Sequence, residues 1–88
     1  MKNNTSTYST DSFPLAIYLL SEACRLIRLD RTNPRRILFV FEETENRKIL
    51  TDKFLSYQAV VEPHRLFSSQ RDLKQLIYQN NDKEGYER

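Results

Sequence analysis

Arg35-Arg36-Ile37-Leu38-Phe39-Val40-Phe41-Glu42-Glu43 is the stretch on which the fold turns: five consecutive apolar residues, two β-branched and two aromatic, held between charged pairs. Such a run predicts a buried strand, because β-branched and aromatic side chains pack well on a pleated surface. Successive side chains of a strand alternate faces, which puts Ile37, Phe39 and Phe41 on one side, the predicted core face, and Leu38 and Val40 on the other. In a two-layer domain that second face meets water. Leu38, Val40 and the upstream Leu26 therefore make an apolar strip that either a helix of the same chain or a second subunit has to cover, and these three residues are the candidate protein interface.

Working outward, Ile27 and Leu29 alternate with Arg28 and Asp30, the two-residue rhythm of a strand, here placed at Arg25–Arg31 with Ile27 and Leu29 on the core face. Thr32-Asn33-Pro34 supplies turn chemistry, since Asn tolerates Asx geometry and Pro presets its own φ. The two strands read as an antiparallel hairpin, Arg25–Arg31 against Arg35–Glu42. Further upstream, Asp11 and Ser12 are N-cap residues and Pro14 fits a first helical turn. A helix follows with Phe13, Ile17, Leu20, Cys24 and Ile27 as its apolar stripe, Ala16 and Ala23 beside it, and Tyr18, Ser21, Glu22 and Arg25 opposite. Tyr8-Ser9-Thr10 reads as a short edge strand.

Downstream, Thr44 caps a second helix whose apolar stripe is Ile49, Leu50, Phe54 and Tyr57, with Asn46, Lys48, Thr51, Asp52 and Gln58 on the wet side. Ala59-Val60-Val61 is a short apolar crossing. Glu62-Pro63 opens a third helix, with Leu66, Phe67, Leu73, Leu76 and Ile77 inward and Arg65, Ser69, Arg71, Asp72 and Lys74 outward, fading near Gln79. The expectation is an α+β domain of two layers, three helices on a small antiparallel sheet in the order β-α-β-β-α-α. Residues 1–7 read as a polar leader, 8–79 as the domain and 80–88 as a polar tail.

The 88 residues suit one small domain without room for a separate substrate domain. The lone Cys24 has no partner for an intramolecular disulfide, and the first dozen residues lack the apolar core of a signal peptide, so a cytoplasmic location is the expectation. The longest apolar run, Leu15–Leu20, is far short of a membrane span. Asn3 and Asn4 stand in glycosylation sequons, which are incidental without secretion.

Few features carry enzymatic chemistry. Acid–base or nucleophilic catalysis needs several groups brought together, and the candidates are one His and one Cys. His64 lies in a predicted first helical turn, and Cys24 lies on an apolar stripe, where cysteines are usually inert. There is no Cys-x-x-Cys, no His pair, and no glycine outside the predicted tail with which to cradle a phosphate. Glu42, Glu43 and Glu45 read more readily as a strand end and a helix start than as cation ligands. Neither an enzyme nor a cofactor is expected.

The charge distribution says more. The chain carries 14 Lys+Arg against 12 Asp+Glu, yet Arg25, Arg28, Arg31, Arg35 and Arg36 lie within twelve residues that hold a single acid, Asp30. On a projecting two-stranded ribbon these arginines could lie along a phosphate backbone, each planar guanidinium offering bidentate contacts and stacking on bases. The plainer reading is a solvated hairpin end that guards a sheet edge. DNA or RNA is accordingly the first candidate partner, and a protein partner or homodimer the second.

Tyr8-Ser9-Thr10-Asp11 before an apolar helix, Asn33-Pro34-Arg35-Arg36 leading into Phe39-Val40-Phe41-Glu42-Glu43, and Val60-Val61-Glu62-Pro63 opening a terminal helix together resemble a small uncharacterised domain family of bacteria and their mobile elements, over about residues 8 to 78. Where that family's pattern places glycine after the first and second helices, this chain has Ala23 and Tyr57. The resemblance implies an architecture and no activity. What is expected is a non-catalytic accessory protein that contacts nucleic acid, or a nucleoprotein complex, through the arginine-rich hairpin; the alternative is a protein-interaction module or homodimer through the Leu38/Val40 face.

Overall fold

The computed structural model of the chain describes residues 6–85. Its elements are β1 (Thr7–Thr10), α1 (Phe13–Ser21), β2 (Leu26–Asp30), β3 (Leu38–Glu42), α2 (Glu45–Leu55) and α3 (Pro63–Gly85). This is the α+β order read from the sequence. The three strands form one antiparallel sheet in the order β1-β3-β2, so the quoted stretch supplies the central strand. Residues 1–5 of the expected leader, with both sequon asparagines, and 86–88 of the expected tail lie outside the described residues. The third helix runs on to Gly85 rather than fading near Gln79.

The register explains the core. Tyr8 and Thr10 of β1 stand opposite Phe41 and Phe39, and on the other side Leu26 and Leu29 stand opposite the same two residues. Leu26 and Leu29 are three apart, a spacing that would put them on opposite faces of a regular strand. An irregularity between Leu26 and Arg28 sets Ile27 out of register and lets both leucines face inward, as a β-bulge does. The expected inward Ile27 is therefore more than a third exposed, while Leu26 packs against the core instead of joining an outer strip. Both strands are also shorter than expected, because Arg25, Arg31 and Arg35–Ile37 fall outside the ladder.

Against the Phe39/Phe41 face lies α1. Ser12 caps it, its hydroxyl accepting from the Leu15 amide at 3.2 Å, and Pro14 occupies the first turn. Leu15, Ala16, Ile17, Tyr18 and Leu19 are all buried. The helix is enclosed on most sides, by the sheet, by α2 and by α3, and so it shows no single apolar stripe. Tyr18 and Ser21, expected outward, are buried: Tyr18 stacks on Phe54 with ring centroids 5.9 Å apart, and the Ser21 hydroxyl donates to the Tyr18 carbonyl at 2.7 Å. The stripe of α2 also differs from expectation. Leu50 and Thr51 go in, whereas Ile49 and Tyr57 stay out. On α3, Leu73 and Ser69 are buried and Phe67 is exposed.

Both α1 and α2 end in the same backbone device. The Cys24 amide donates to the Leu19 carbonyl and the Ala23 amide to Leu20; the Gln58 amide donates to Lys53 and the Tyr57 amide to Phe54. These are Schellman motifs, whose pivotal residue adopts a left-handed conformation and is most often glycine. Here the pivots are Ala23, with φ 69°, and Tyr57, with φ 62°. Each keeps a Cβ where it is unfavourable by about 1–2 kcal/mol.

Replacing Ala23, which is exposed, by glycine removes that penalty at the cost of a more flexible unfolded chain. The Ala23→Gly chain should gain about 1 kcal/mol, read as a melting temperature about 4–8 °C higher for a domain of this size. An unchanged or lower melting temperature would contradict the assigned backbone strain.

Candidate nucleic-acid interface

The arginine-rich segment leaves β2 at Asp30 and re-enters the sheet at Leu38, cross-strand partners in the ladder. Between them the chain is organised by its own short polar side chains. The Asp30 carboxylate accepts from the Thr32 amide at 2.9 Å, the Asn33 side-chain oxygen accepts from the Arg35 amide at 2.9 Å, and the Arg36 amide closes on the Asn33 carbonyl at 3.1 Å. These Asx-type bonds hold the turn without help from a core. The hydrogen bonds from Thr32, with a smaller contribution from the nearby Arg28 charge, hold the Asp30 carboxyl below the usual carboxylate range, so it stays ionised beside the arginines.

The five arginines divide. Arg31 turns onto α3, where a guanidinium nitrogen donates to the Ile77 carbonyl at 2.8 Å. Arg36 reaches Asp11, just ahead of α1, at 3.0 Å, in a pair about half exposed on both sides. The turn is thus tied to α3 on one side and to the α1 approach on the other, within a three-stranded sheet. It is not a two-stranded ribbon projecting into solvent. Arg25, Arg28 and Arg35 are exposed, and their guanidinium groups donate no hydrogen bond to any described residue. Arg28 stands across from Val40 on the face away from the core, Arg25 sits at the foot of β2, where its carbonyl accepts from the Glu42 amide, and Arg35 is at the tip.

That outer face also holds the expected apolar strip. Its members fare differently: Val40, flanked across the strands by Ser9 and Arg28, is 1% exposed within the single chain, Leu38 is half-buried, and Leu26 lies on the opposite, core-facing side.

A second charged group is one that local charge density does not single out. Arg47 on α2 is only 8% exposed. Its guanidinium grips Glu43 with two bonds of 2.8 Å, donates to the Thr51 hydroxyl at 2.9 Å and lies over the Tyr8 ring, 3.7 Å from its centre. One side chain thereby joins β1, the end of β3 and α2. The bidentate bond to Arg47 holds the Glu43 carboxyl below its ordinary range against the opposing effect of burial, and the same bond raises the already high Arg47 value. The signal was available as Glu43 four residues before Arg47, the spacing of a helical ion pair. Glu43 is therefore engaged by an arginine, and Glu45 stands in the first turn of α2. Arg65 plays a related part on α3, donating to the Ser21 carbonyl at the end of α1 and pairing with Glu22 at 3.3 Å.

Cys24 is half-buried, and desolvation raises its thiol above the ordinary range, only partly countered by the Arg47 charge. That is the opposite of what an activated nucleophile requires. Among the described residues no helix is long and apolar enough to cross a membrane.

A family model described as a domain of unknown function, DUF5659, matches residues 5–79. No curated protein and no solved structure matches the chain.

Removing the Arg47 side chain leaves Glu43 without its partner, while the Thr51 hydroxyl keeps its bond to the backbone carbonyl of residue 47, so Arg47→Ala should cost about 3 kcal/mol in chemical denaturation. The acid dependence has a definite sign. Because the folded Glu43 value is depressed, the stabilisation from the pair is fully present above its ordinary value near 4.5 and is lost as pH falls below it toward the folded value. Stability profiles of the native chain and of Glu43→Gln should therefore converge as pH drops below that point; parallel profiles would contradict the pairing.

Proposed function

The chain belongs to the DUF5659 family, and from that premise we propose that it is a non-catalytic accessory protein that binds nucleic acid through its arginine-rich hairpin. The observation that carries the reading is the trio Arg25, Arg28 and Arg35, exposed guanidinium groups on one β2–turn segment that hydrogen-bond to no described residue. Phosphate is a natural partner for such groups, because a guanidinium meets it with two parallel bonds. Arg36 adds a fourth contact at little cost, since an exposed pair such as the one with Asp11 contributes about 0–1 kcal/mol and is readily exchanged for a phosphate. Arg31 supports the segment from behind through Ile77 and takes the part of a positioning residue.

The chemistry favours backbone contact over base reading. The turn is closed by Asx bonds and carries no aromatic side chain between Arg31 and Arg36 on which a base could stack. Affinity of this kind is dominated by counterion release and falls steeply with salt. A cytoplasmic setting fits this role. The alternative through the Leu38/Val40 face has less support, because Val40 is already enclosed within the chain.

Fluorescence anisotropy with short DNA and RNA duplexes and single strands, titrated across a salt series, tests the reading. Because Arg25, Arg28 and Arg35 are exposed, their joint replacement by alanine should leave the melting temperature in place. It should weaken binding and reduce the slope of log K against log salt by about three, roughly one per arginine. Equal affinity and slope in the triple variant, or no binding by the native chain at low salt, would overturn the proposal.

A further inference from the structure

Among the longest stretches without a charged residue, in a chain whose charged content is 30%, are the apolar-rich 12–21 and 54–61. The fold brings them together. Phe13, Pro14 and Ile17 of α1, Ala59 and Val61 of the α2–α3 connection and Leu66 of α3 line an open groove of about 440 Å³, and no charged side chain is among its walls. From the last residue of α2 and the connection that follows it, three apolar side chains point away from the core. Leu55 is 66% exposed, Val60 84% and Tyr57 96%.

Tyr57 is the most informative of the three. It occupies the left-handed pivot that ends α2, where a bulky side chain is a backbone outlier and glycine would be unstrained. The chain thus keeps an aromatic ring almost wholly in water at a position where the backbone disfavours it. An outlier of this kind points from structure to use.

We propose that the groove and this apolar knob form a self-complementary surface on which a second copy of the chain docks about a two-fold axis, each copy's Tyr57 and Val60 entering the other's groove. A two-fold interface requires that one patch contain both of its complementary parts, and the groove walls Ala59 and Val61 are immediate sequence neighbours of the knob residues. The area is sufficient. Tyr57 and Val60, with Leu55 at their rim, present on the order of 400 Å² per copy; counted for both copies and with the groove walls they cover, the contact is of the order of the roughly 1,000 Å² that a specific interface needs. The charge pattern agrees, since interface centres are depleted in charged residues and a net charge of +2 opposes pairing only weakly. This inference does not depend on the arginine reading, and its test is made on nuclease-treated protein without added nucleic acid.

Sedimentation velocity of the native chain from about 10 µM to about 1 mM should show a concentration-dependent monomer–dimer equilibrium. Val60→Asp and Tyr57→Gly should each weaken it at least about tenfold. Tyr57→Gly should melt at the same or a higher temperature, which separates a lost contact from a lost fold. A native chain that stays monomeric over the whole range overturns the proposal, as does a dimer that both variants leave unchanged. A monomer that binds the apolar fluorophore anilinonaphthalene sulfonate, with the binding lost on Leu66→Asp, also overturns it and assigns the groove to a small apolar ligand.

Discussion

The burial of Phe39 and Phe41 against α1 is the contact from which the rest of the molecule takes its positions. Both rings are shielded almost completely, and the residues opposite them on the two flanking strands, Tyr8 and Thr10 on one side and Leu26 and Leu29 on the other, frame the face that α1 covers. Transfer of side chains of this size from water is worth about 1.5–3 kcal/mol each, a large share of the stability available to a domain this small. α2 and α3 do not stand on the sheet independently. They close around α1, through the Tyr18–Phe54 stack and through Arg65 at the end of α1, so a short apolar helix serves as the hub between sheet and outer helices.

The arginines of this chain show how one residue type serves two ends. Arg47 binds a carboxylate, Arg65 a carboxylate and the carbonyl that ends α1, and Arg31 ties the turn to a backbone carbonyl of α3. A buried guanidinium needs its donors satisfied, which Arg47 achieves with Glu43 and Thr51 while its flat face rests on Tyr8. Arg25, Arg28 and Arg35 have no such obligations to the described residues and remain available to solvent or to a ligand. Local charge density alone would have treated Arg31 and Arg35 alike; only the tertiary partners distinguish them.

Much of the fold was legible in the sequence, because strand β3, its hairpin partner, the caps at Ser12 and Thr44 and the Glu62-Pro63 start are local signals. The readings that failed depended on tertiary context. The spacing of apolar residues predicts an amphipathic stripe on α1, but a helix enclosed on most sides has none, and Tyr18 and Ser21 go inward. Strict alternation along β2 puts Ile27 on the core face, whereas a single out-of-register residue exchanges it for Leu26. Of the candidate site, the concentration of arginines was visible, but which of them the fold would tie down was not, since Ile77 and Asp11 are 46 and 25 residues away from their partners.

The strand order carries a kinetic meaning as well. Asp30 and Leu38 are eight positions apart, so the β2–β3 hairpin closes a short loop, whereas Tyr8 meets Phe41 across 33 positions with a helix and a strand between them. Loop-closure entropy places the local hairpin early and the first-made strand last in assembly. A chain that emerges from the ribosome with β1 leading must wait for the middle of its sequence before that strand has anything to pair with. Once docked, that strand is held by its ladder with β3 and by the Arg47 guanidinium of α2 lying over the Tyr8 ring, so the last strand to pair is also fastened from the helical layer.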